Sequence, residues 1–313
     1  MALFVPAEDG PADQVRTWIR TVGGAESNVA CHLAGLGVRA GWVSAVGDDA
    51  LGRAVVSAVA AAGVDVSGVV VDPNRPTGLY FKEIGSAGAP VRYYRAGSAA
   101  SGLAPSLVST LDLNDVRLVH TSGITPALSE TCLALMRALF ELPRHTHLMS
   151  FDVNWRPPLW IGRDTGVLTE LANAADIVLL GADEADAVWG SHVPQRIREI
   201  LRGPRTLVVK QGERGATMIE RDPVTGGDLP EVFEPALRVD VVEPIGAGDA
   251  FAAGFLAATL AGAGPRRRLR AGHLQAFSAL RTREDIGPPL PADLVARLLE
   301  ADDATWAEWR MSG

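Results

Sequence analysis

Apolar residues along this chain follow two alternating spacings. Stretches with helical spacing, such as residues 25–36 and 51–62, alternate with short continuous apolar runs that are typical of buried strands. Gly63 closes the second of these helices. Strands are predicted at residues 40–46, 69–71, 118–121, 148–152, 177–180 and 206–210. This order predicts an α/β fold with a mostly parallel central sheet and helices on both faces.

One segment breaks the alternation. Residues 77–84 and 91–95 are rich in β-forming side chains, and the Gly-rich residues 85–90 lie between them, which predicts a β-hairpin. Such a hairpin could be decoration alone, but its Tyr and Arg residues also fit a lid over a ligand. We therefore expect a single α/β domain over residues 1–313, with a lid formed by about residues 12–22 and 74–96.

Composition and charge narrow the class of protein. The chain has 313 residues, of which 47% are hydrophobic and 21% charged, as in an ordinary soluble protein. Its net charge of −8 argues against a nucleic-acid partner. The densest basic run, residues 266–270, follows a helical stretch, and we expect it to form a solvated C-terminal turn.

Targeting signals and cysteines point to one compartment. The sequence shows neither a signal peptide nor an uncharged apolar run of ~18 residues, so we expect no export and no membrane span. Cys31 and Cys132 are too few for a disulfide framework and lack the spacing of metal ligands. We therefore expect a cytoplasmic protein.

A glycine-rich turn runs directly into an apolar helix at Gly246-Ala-Gly-Asp249. Glycines let the backbone approach a ligand closely, and the first turn of a helix leaves N–H groups unpaired. Because the helix dipole adds positive potential there, the turn predicts an anion site. Asp249 then has two interpretations: it caps the helix, as Asp commonly does, or it takes part in a reaction at the anion site.

Five short motifs follow one another along nearly the whole chain. They are Gly23-Gly-Ala-Glu-Ser-Asn-Val-Ala30, Val46-Gly-Asp-Asp-Ala-Leu-Gly52, Asp152-Val-Asn-Trp-Arg156, Lys210-Gln-Gly-Glu-Arg-Gly215 and Gly246-Ala-Gly-Asp249. Each is weak alone, but in this order they resemble the ribokinase-like family of carbohydrate kinases, often called the PfkB family. Tyr80 with residues 93–95, 97–103 and 122–124 looks most like the 2-keto-3-deoxygluconate kinases of that family. The resemblance implies a ribokinase-like fold, a small-molecule sugar or sugar-acid substrate, and the cofactors ATP and Mg²⁺.

The resemblance also implies roles for particular residues. Asp249 would be the catalytic base, and Gly246, Ala247 and Gly248 would hold the charge that develops on the transferred phosphoryl group. The residues that would bind the substrate are Gly23, Gly24, Asn28, Tyr80, Tyr93, Arg95, Ile124 and Arg156. Those that would lie by the nucleotide are Lys210, Gly212 and Gly215. Glu184 would act on Mg²⁺ through water, although Gly181 stands where the family usually has Asn.

Several of these residues also have ordinary structural interpretations. Arg95 and Arg156 could form surface salt bridges, and Tyr80 and Tyr93 could simply pack as a cross-strand pair. Residues 210–215 could form a plain β-turn. A substrate with one carboxylate and several hydroxyls nevertheless suits two arginines and tyrosine hydroxyls better than a neutral hexose does.

The function expected first is an ATP-dependent kinase that acts on 2-keto-3-deoxygluconate. Two alternatives stay open: a fructokinase or other kinase for a neutral sugar, and a sugar-binding sensor that has lost phosphoryl transfer. Relatives normally begin with an apolar strand that reaches the sugar, whereas residues 1–6 resemble the segment just after that strand. We therefore expect either that the true start lies upstream or that a shortened sheet, without this central strand, binds substrate less well. The resemblance also implies a possible homo-oligomer paired through the lid.

Overall fold

The structure, a computed structural model, describes residues 1–8, 10–83, 91–143 and 147–310. The strands are β1 (Ala2–Pro6), β2 (Trp18–Val22), β3 (Ser44–Gly47), β4 (Val69–Asp72), β5 (Leu79–Lys82), β6 (Val91–Tyr94), β7 (Leu118–Ser122), β8 (Leu148–Asp152), β9 (Ile177–Gly181), β10 (Thr206–Lys210), β11 (Ala216–Glu220) and β12 (Val232–Glu234). The helices are α1 (Ala25–Gly35), α2 (Ala50–Ala61), α3 (Ile124–Leu128), α4 (Glu130–Phe140), α5 (Pro157–Trp160), α6 (Gly166–Ala174), α7 (Ala182–Trp189), α8 (Pro194–Ile200), α9 (Ala247–Leu260), α10 (Pro265–Ala279), α11 (Ala292–Leu299) and α12 (Asp303–Glu308).

The main sheet has six strands in the order β12-β11-β10-β9-β8-β7. Strands β7 to β10 are parallel, and β11 and β12 add antiparallel pairs at one edge. Alternate residues of β9 point to opposite faces: Val178 and Leu180 pack with α4 and α6, whereas Ile177 and Leu179 pack with α1 and α9. Burial on both faces explains why these strands read as continuous apolar runs. The predicted α/β fold is confirmed.

Three of the parallel strands end at the same edge of the sheet, and two of them end in charged residues. Asp152 ends β8, Gly181 ends β9 and Lys210 ends β10. The carboxyl ends of parallel strands are where open α/β sheets gather ligands. Helix α9 packs against α1 and the sheet through Phe251 and Phe255, and its first turn lies beside Lys210.

The lid is larger than the predicted hairpin. Strands β5 and β6 pair as expected, but β1 and β2 extend them into a four-stranded sheet in the order β2-β1-β5-β6. Strand β1 joins this sheet because Phe4 stacks on Phe81, with ring centroids 5.0 Å apart, and Trp18 meets the edge of Phe81. The predicted boundaries therefore left out residues 2–6. The predicted Gly-rich turn at residues 85–90 lies outside the described residues.

Strands β3 and β4 form a separate parallel pair. In the part of the chain that the structure describes, no strand pairs with β7 on the side away from β8, or with β3 on the side away from β4. A cleft of about 1620 Å³ runs between these two edges and continues to the carboxyl ends of the sheet.

Two sequence-based expectations need correction. The basic residues 266–270 lie in the first turns of α10 rather than at a helix C-terminus, and Arg268 and Arg270 are buried there. Arg268 donates to the partly buried Glu220 at 2.7 Å and Arg270 to the buried Glu234 at 3.0 Å, whereas Arg266 and Arg267 are exposed. The strand expected at residues 40–46 starts only at Ser44, where continuous pairing with β4 begins. Within the described residues, no helix has the length and apolar character needed to cross a membrane.

Candidate active site

Asp249 lies in the first turn of α9, at the carboxyl ends of the sheet strands. Gly246 precedes the helix with φ of 89°, a conformation that favours glycine, and no side chain caps the helix. The Asp249 carboxylate instead accepts hydrogen bonds from two amides, Asn28 Nδ2 at 2.8 Å and Asn154 Nδ2 at 3.4 Å. The capping interpretation of Asp249 is therefore wrong, because its side chain points away from the helix toward α1 and the segment after β8.

The surroundings of Asp249 make it a weak acid. Burial, together with the negative charges of Asp152 and Asp285, raises its pKa to about 7, while the bond from Asn28 and the charge of Arg156 oppose the shift. A carboxylate with this pKa exists in both protonation states near neutral pH. It can therefore take up a proton from a bound hydroxyl.

The start of α9 also supplies unpaired backbone donors. The first full helical hydrogen bond runs from the N–H of Ala250 to the oxygen of Gly246, at 2.9 Å. The N–H groups of Gly248 and Asp249 precede that bond, so they have no helical acceptor. A Cβ on Gly248 would lie 3.5 Å from Lys210 Nζ, which places an ammonium group beside the same turn. Backbone donors, helix dipole and lysine together form a site for an anion.

Lys210 is held at this place by carboxylates. Its Nζ lies 2.8 Å from Asp152 Oδ2. Burial lowers its pKa, but Asp152, Glu184 and Asp249 together raise it above the ordinary value, so the side chain stays charged. Sequence reasoning placed Lys210 by the nucleotide, and the structure brings it next to Gly248 and Asp249.

Glu184 lies in the first turn of α7 and accepts a hydrogen bond from the N–H of Gly181 at 2.6 Å. Burial raises its pKa, and Arg156 Nη1 is 3.7 Å from its other oxygen. No group of three or more potential metal-binding side chains occurs among the residues the structure describes. Mg²⁺ commonly keeps several waters and uses only one or two carboxylates, so this donor set fits the predicted contact through water.

Two asparagine side chains beside Asp249 could bind a polar organic molecule. The side-chain oxygens of Asn28 and Asn154 are buried and have no hydrogen-bond partner among the described residues. Asn154 has φ of 40°, which turns the chain after β8 so that its amide reaches Asp249. Buried amide oxygens without partners are costly, and hydroxyl donors of a ligand would satisfy them.

Two guanidinium groups face the same part of the cleft. Arg95 comes from the lid and lies over the ring of Tyr93, 4.2 Å from its centroid, and Arg156 precedes α5. Burial lowers the pKa of Arg95, and the nearby charge of Arg156 lowers it further. Arg156 forms the salt bridge with Glu184, as its alternative interpretation allowed, whereas no salt bridge of Arg95 occurs among the described residues. Ile124 and Gly24 complete this wall.

Two residues that were predicted to bind the substrate, Tyr80 and Gly23, lie against Asp285 in the structure. Tyr80 is buried, and its hydroxyl donates to Asp285 Oδ2 at 2.6 Å; its ring also stacks on Tyr93. A Cβ on Gly23 would come within 1.7 Å of the Tyr80 oxygen and 2.5 Å of Asp285 Oδ2. Gly23 therefore makes room for Tyr80 and Asp285, and the cleft itself is lined by Gly24.

The glycines after β10 have unequal roles. Gly215, with φ of 136°, packs against the backbone of Glu234, where any side chain would collide with the Glu234 oxygen. Gly212 has φ of 59° and open space around it. Unlike Lys210, neither lines the cleft as the described residues form it. His273 on α10 is buried and contacts the Glu234 oxygen, and burial lowers its pKa to about 4, so its role is structural.

Sequence reasoning missed three side chains at this site. Asp285 and Lys82 form a buried ion pair beside Asn28, and Glu26 accepts hydrogen bonds from Ser122 and Thr125. Lys82 shares a strand face with Tyr80, so alternation along β5 could have indicated it. Asp285 lies in a segment without regular pattern and gave no local signal.

Comparison with known proteins agrees with this geometry. The model of the pfkB family of carbohydrate kinases matches residues 2–293. The chain belongs to this family. The family predicted from the sequence motifs is thus confirmed, and with it the assignment as a carbohydrate kinase.

Individual relatives refine the comparison. A 2-dehydro-3-deoxygluconokinase from Bacillus subtilis is 37% identical over 270 residues, which cover 84% of this chain and 81% of that protein. The crystal structure of a PfkB protein from Polaromonas has a TM-score of 0.82 and 34% identity, covering 95% and 97% of the two chains. An uncharacterized sugar kinase from Pyrococcus horikoshii in complex with ATP shares the fold, with a TM-score of 0.81, 23% identity and 96% coverage of both chains.

Proposed function

We propose that this PfkB-family kinase transfers the γ-phosphoryl group of ATP to a hydroxyl of 2-keto-3-deoxygluconate, which is also called 2-dehydro-3-deoxygluconate. One observation carries the proposal. Asp249, with a pKa of about 7, is held by amides rather than by a cation, at the start of a helix whose N–H groups face an anion site. The similarity to the Bacillus subtilis kinase supports the choice of substrate.

Different residues of the site would carry out proton transfer, charge stabilisation and metal binding. Asp249 takes the proton of the attacking sugar hydroxyl. As the oxygen of that hydroxyl bonds to the γ-phosphorus of ATP, the bond from the γ-phosphorus to the β-phosphate breaks and ADP is released. The backbone of Gly246, Ala247, Gly248 and Asp249, together with Lys210, stabilises the negative charge of the transferred group. Bound Mg²⁺ would share that charge, and Glu184 would hold it through water.

The substrate side of the cleft fits a sugar acid. Arg95 and Arg156 would bind the carboxylate, and the free side-chain oxygens of Asn28 and Asn154 would accept hydrogen bonds from hydroxyls. Gly24, Ile124 and Tyr93 would shape the same wall. The lid would cover the sugar and keep water from the phosphoryl group.

A substrate panel tests the proposal directly. We would measure ADP formation and sugar phosphorylation with 2-keto-3-deoxygluconate, fructose, ribose and a nucleoside, each with ATP and Mg²⁺. Turnover confined to the keto acid is expected. Equal turnover with fructose would favour the neutral-sugar kinase, and sugar binding without turnover by folded protein would favour the sensor.

The remaining expectations belong to the same proposal. We propose one domain over residues 1–313 and a homo-oligomer paired through the lid, on which Ile19 and Tyr94 are 54% and 59% exposed. Sedimentation of the wild type and of an Ile19→Lys/Tyr94→Lys variant tests the pairing, since a monomeric wild type would exclude it. The free cysteines and the need for ATP fit the cytoplasm.

A further inference from the structure

Strand β5 of the lid ends in a lysine that is sealed from solvent. The Lys82 side chain is 2% exposed, and its Nζ lies 2.7 Å from Asp285 Oδ1. The same nitrogen donates to the Arg283 oxygen at 2.9 Å. Tyr80 lies on the same strand face and donates to the other oxygen of Asp285. Strand β5 therefore contacts the segment 283–285 through two side chains, Lys82 and Tyr80.

Asp285 in turn contacts the catalytic centre. Asn28 Nδ2 lies 3.2 Å from Asp285 Oδ2 and 2.8 Å from Asp249 Oδ2, so one amide joins the two carboxylates. The backbone of Asp285 also packs on Gly246, where a Cβ would come within 2.7 Å of the Asp285 oxygen. Any movement of Asp285 would therefore reach both Asn28 and the start of α9.

We propose that Lys82 is a positioning residue for phosphoryl transfer: by pairing with Asp285 it fixes Asn28 against Asp249 and couples the lid strand to the anion site. The proposal rests on the proposed kinase function. Lys82 acts through Asp285, because its nitrogen is enclosed by Asp285 and the Arg283 backbone.

Charge balance explains why a lysine is needed at this place. The charged and titratable groups that face Asp249 are Asp152 from β8, Lys210 from β10, Arg156 before α5, Tyr80 from β5 and Asp285. The negative charge of Asp285 already raises the pKa of Asp249. The Met1 ammonium and His32 also interact with Asp285. Without Lys82, Asp285 would lose the cation that lies 2.7 Å from its carboxylate and would disfavour the charged form of Asp249 more strongly.

The test compares Lys82→Met with Arg92→Met. Arg92 lies on the same lid sheet, and among the described residues its ion pair is with Glu83 of the lid, so Arg92→Met is a matched loss of one positive charge. In Lys82→Met we expect the pH midpoint of kcat/KM to move up by about one unit and kcat/KM at pH 7 to fall roughly fivefold. Arg92→Met should keep the wild-type midpoint.

A second readout does not depend on activity. Hydrogen exchange of the backbone amides at residues 79–82 and 283–286 should speed up together in Lys82→Met and stay unchanged in Arg92→Met. The double variant Lys82→Met/Asp285→Asn removes both charges and should return the pH midpoint to or below the wild-type value. An inactive wild type would refute the kinase, whereas an unchanged midpoint and unchanged exchange in Lys82→Met would refute the positioning role alone.

Discussion

Two lysine–aspartate pairs flank Asp249, and they differ in their access to the cleft. Lys210 and Asp152 join β10 to β8 at 2.8 Å, and Lys210 retains 18% exposure next to Gly248. Lys82 and Asp285 join the lid to the segment before Ile286 at 2.7 Å, and both are nearly inaccessible. The first lysine can therefore meet an incoming anion, whereas the second can only hold its neighbours.

Asp249 lies between these pairs and forms no ion pair within 4 Å in the part of the chain that the structure describes. Asp152 and Asp285 are each neutralised by a lysine, while Asp249 is bonded by amides that leave it able to take up a proton. The comparison indicates that partner type separates the carboxylate proposed as the catalytic base from the other two. Substitutions of the carboxylates, the lysines and the amides should therefore have distinct effects.

The largest effect is expected for Asp249→Asn. Removing the base should lower kcat by about 10²–10⁴-fold with little change in the KM for sugar, because a general base acts mainly in the transition state. Steady-state kinetics with saturating ATP would measure it. Asp186→Asn, which alters an exposed carboxylate near His192, is the matched control and should stay at wild-type activity. A comparable loss in kcat from Asp152→Asn would show that the kind of partner, lysine or amide, does not identify which carboxylate is the base.

The next effect separates the two lysines. Lys210→Met should raise the KM for ATP by roughly 10–100-fold, the worth of a hydrogen bond to a charged group. Lys82→Met should leave the KM for ATP near the wild-type value, since Lys82 is enclosed on the lid side. Circular dichroism of both variants would check folding. Equal increases in the two variants would contradict the distinction between an accessible and a sealed lysine.

The arginines of the cleft should affect only acidic substrates. Arg95→Gln and Arg156→Gln are each expected to lower kcat/KM for 2-keto-3-deoxygluconate by about tenfold, because each removes a charged hydrogen-bond donor. Any slow turnover of fructose should be unchanged. Arg163→Gln, whose partner is Glu130 at the surface, is the control. Equal losses with both sugars would mean that the arginines do not bind a carboxylate.

The sequence predicted the parts of this arrangement that are local. Buried strands β8 and β10 and the turn before α9 carry continuous patterns, so Asp152, Lys210 and Asp249 could be placed at strand or helix ends. The Lys82–Asp285 pair could not be predicted, because its two residues come from distant parts of the chain. The neighbouring contact of Tyr80 with Asp285 joins residues 205 positions apart. The pairing of β1 with β5 in the lid sheet could not be predicted for the same reason, because residues 2–6 and 79–82 become neighbours only when the chain has folded.

The smallest effect expected is a shift in pH dependence that tests the amide contacts themselves. Since Asp249 must be ionised to act as a base, kcat/KM for the wild type should level off above its pKa of about 7 and fall by about tenfold per unit below it. The hydrogen bond from Asn28 lowers that pKa, so Asn28→Leu should move the midpoint upward and reduce activity at pH 7 by a few-fold beyond any loss in substrate binding. Measuring kcat/KM from pH 5.5 to 9 would separate the two effects, because lost binding lowers the plateau and a changed base moves the midpoint. A midpoint near 4 in the wild type would show that Asp249 behaves as an ordinary exposed carboxylate, and that its amide partners do not distinguish it from Asp152 and Asp285.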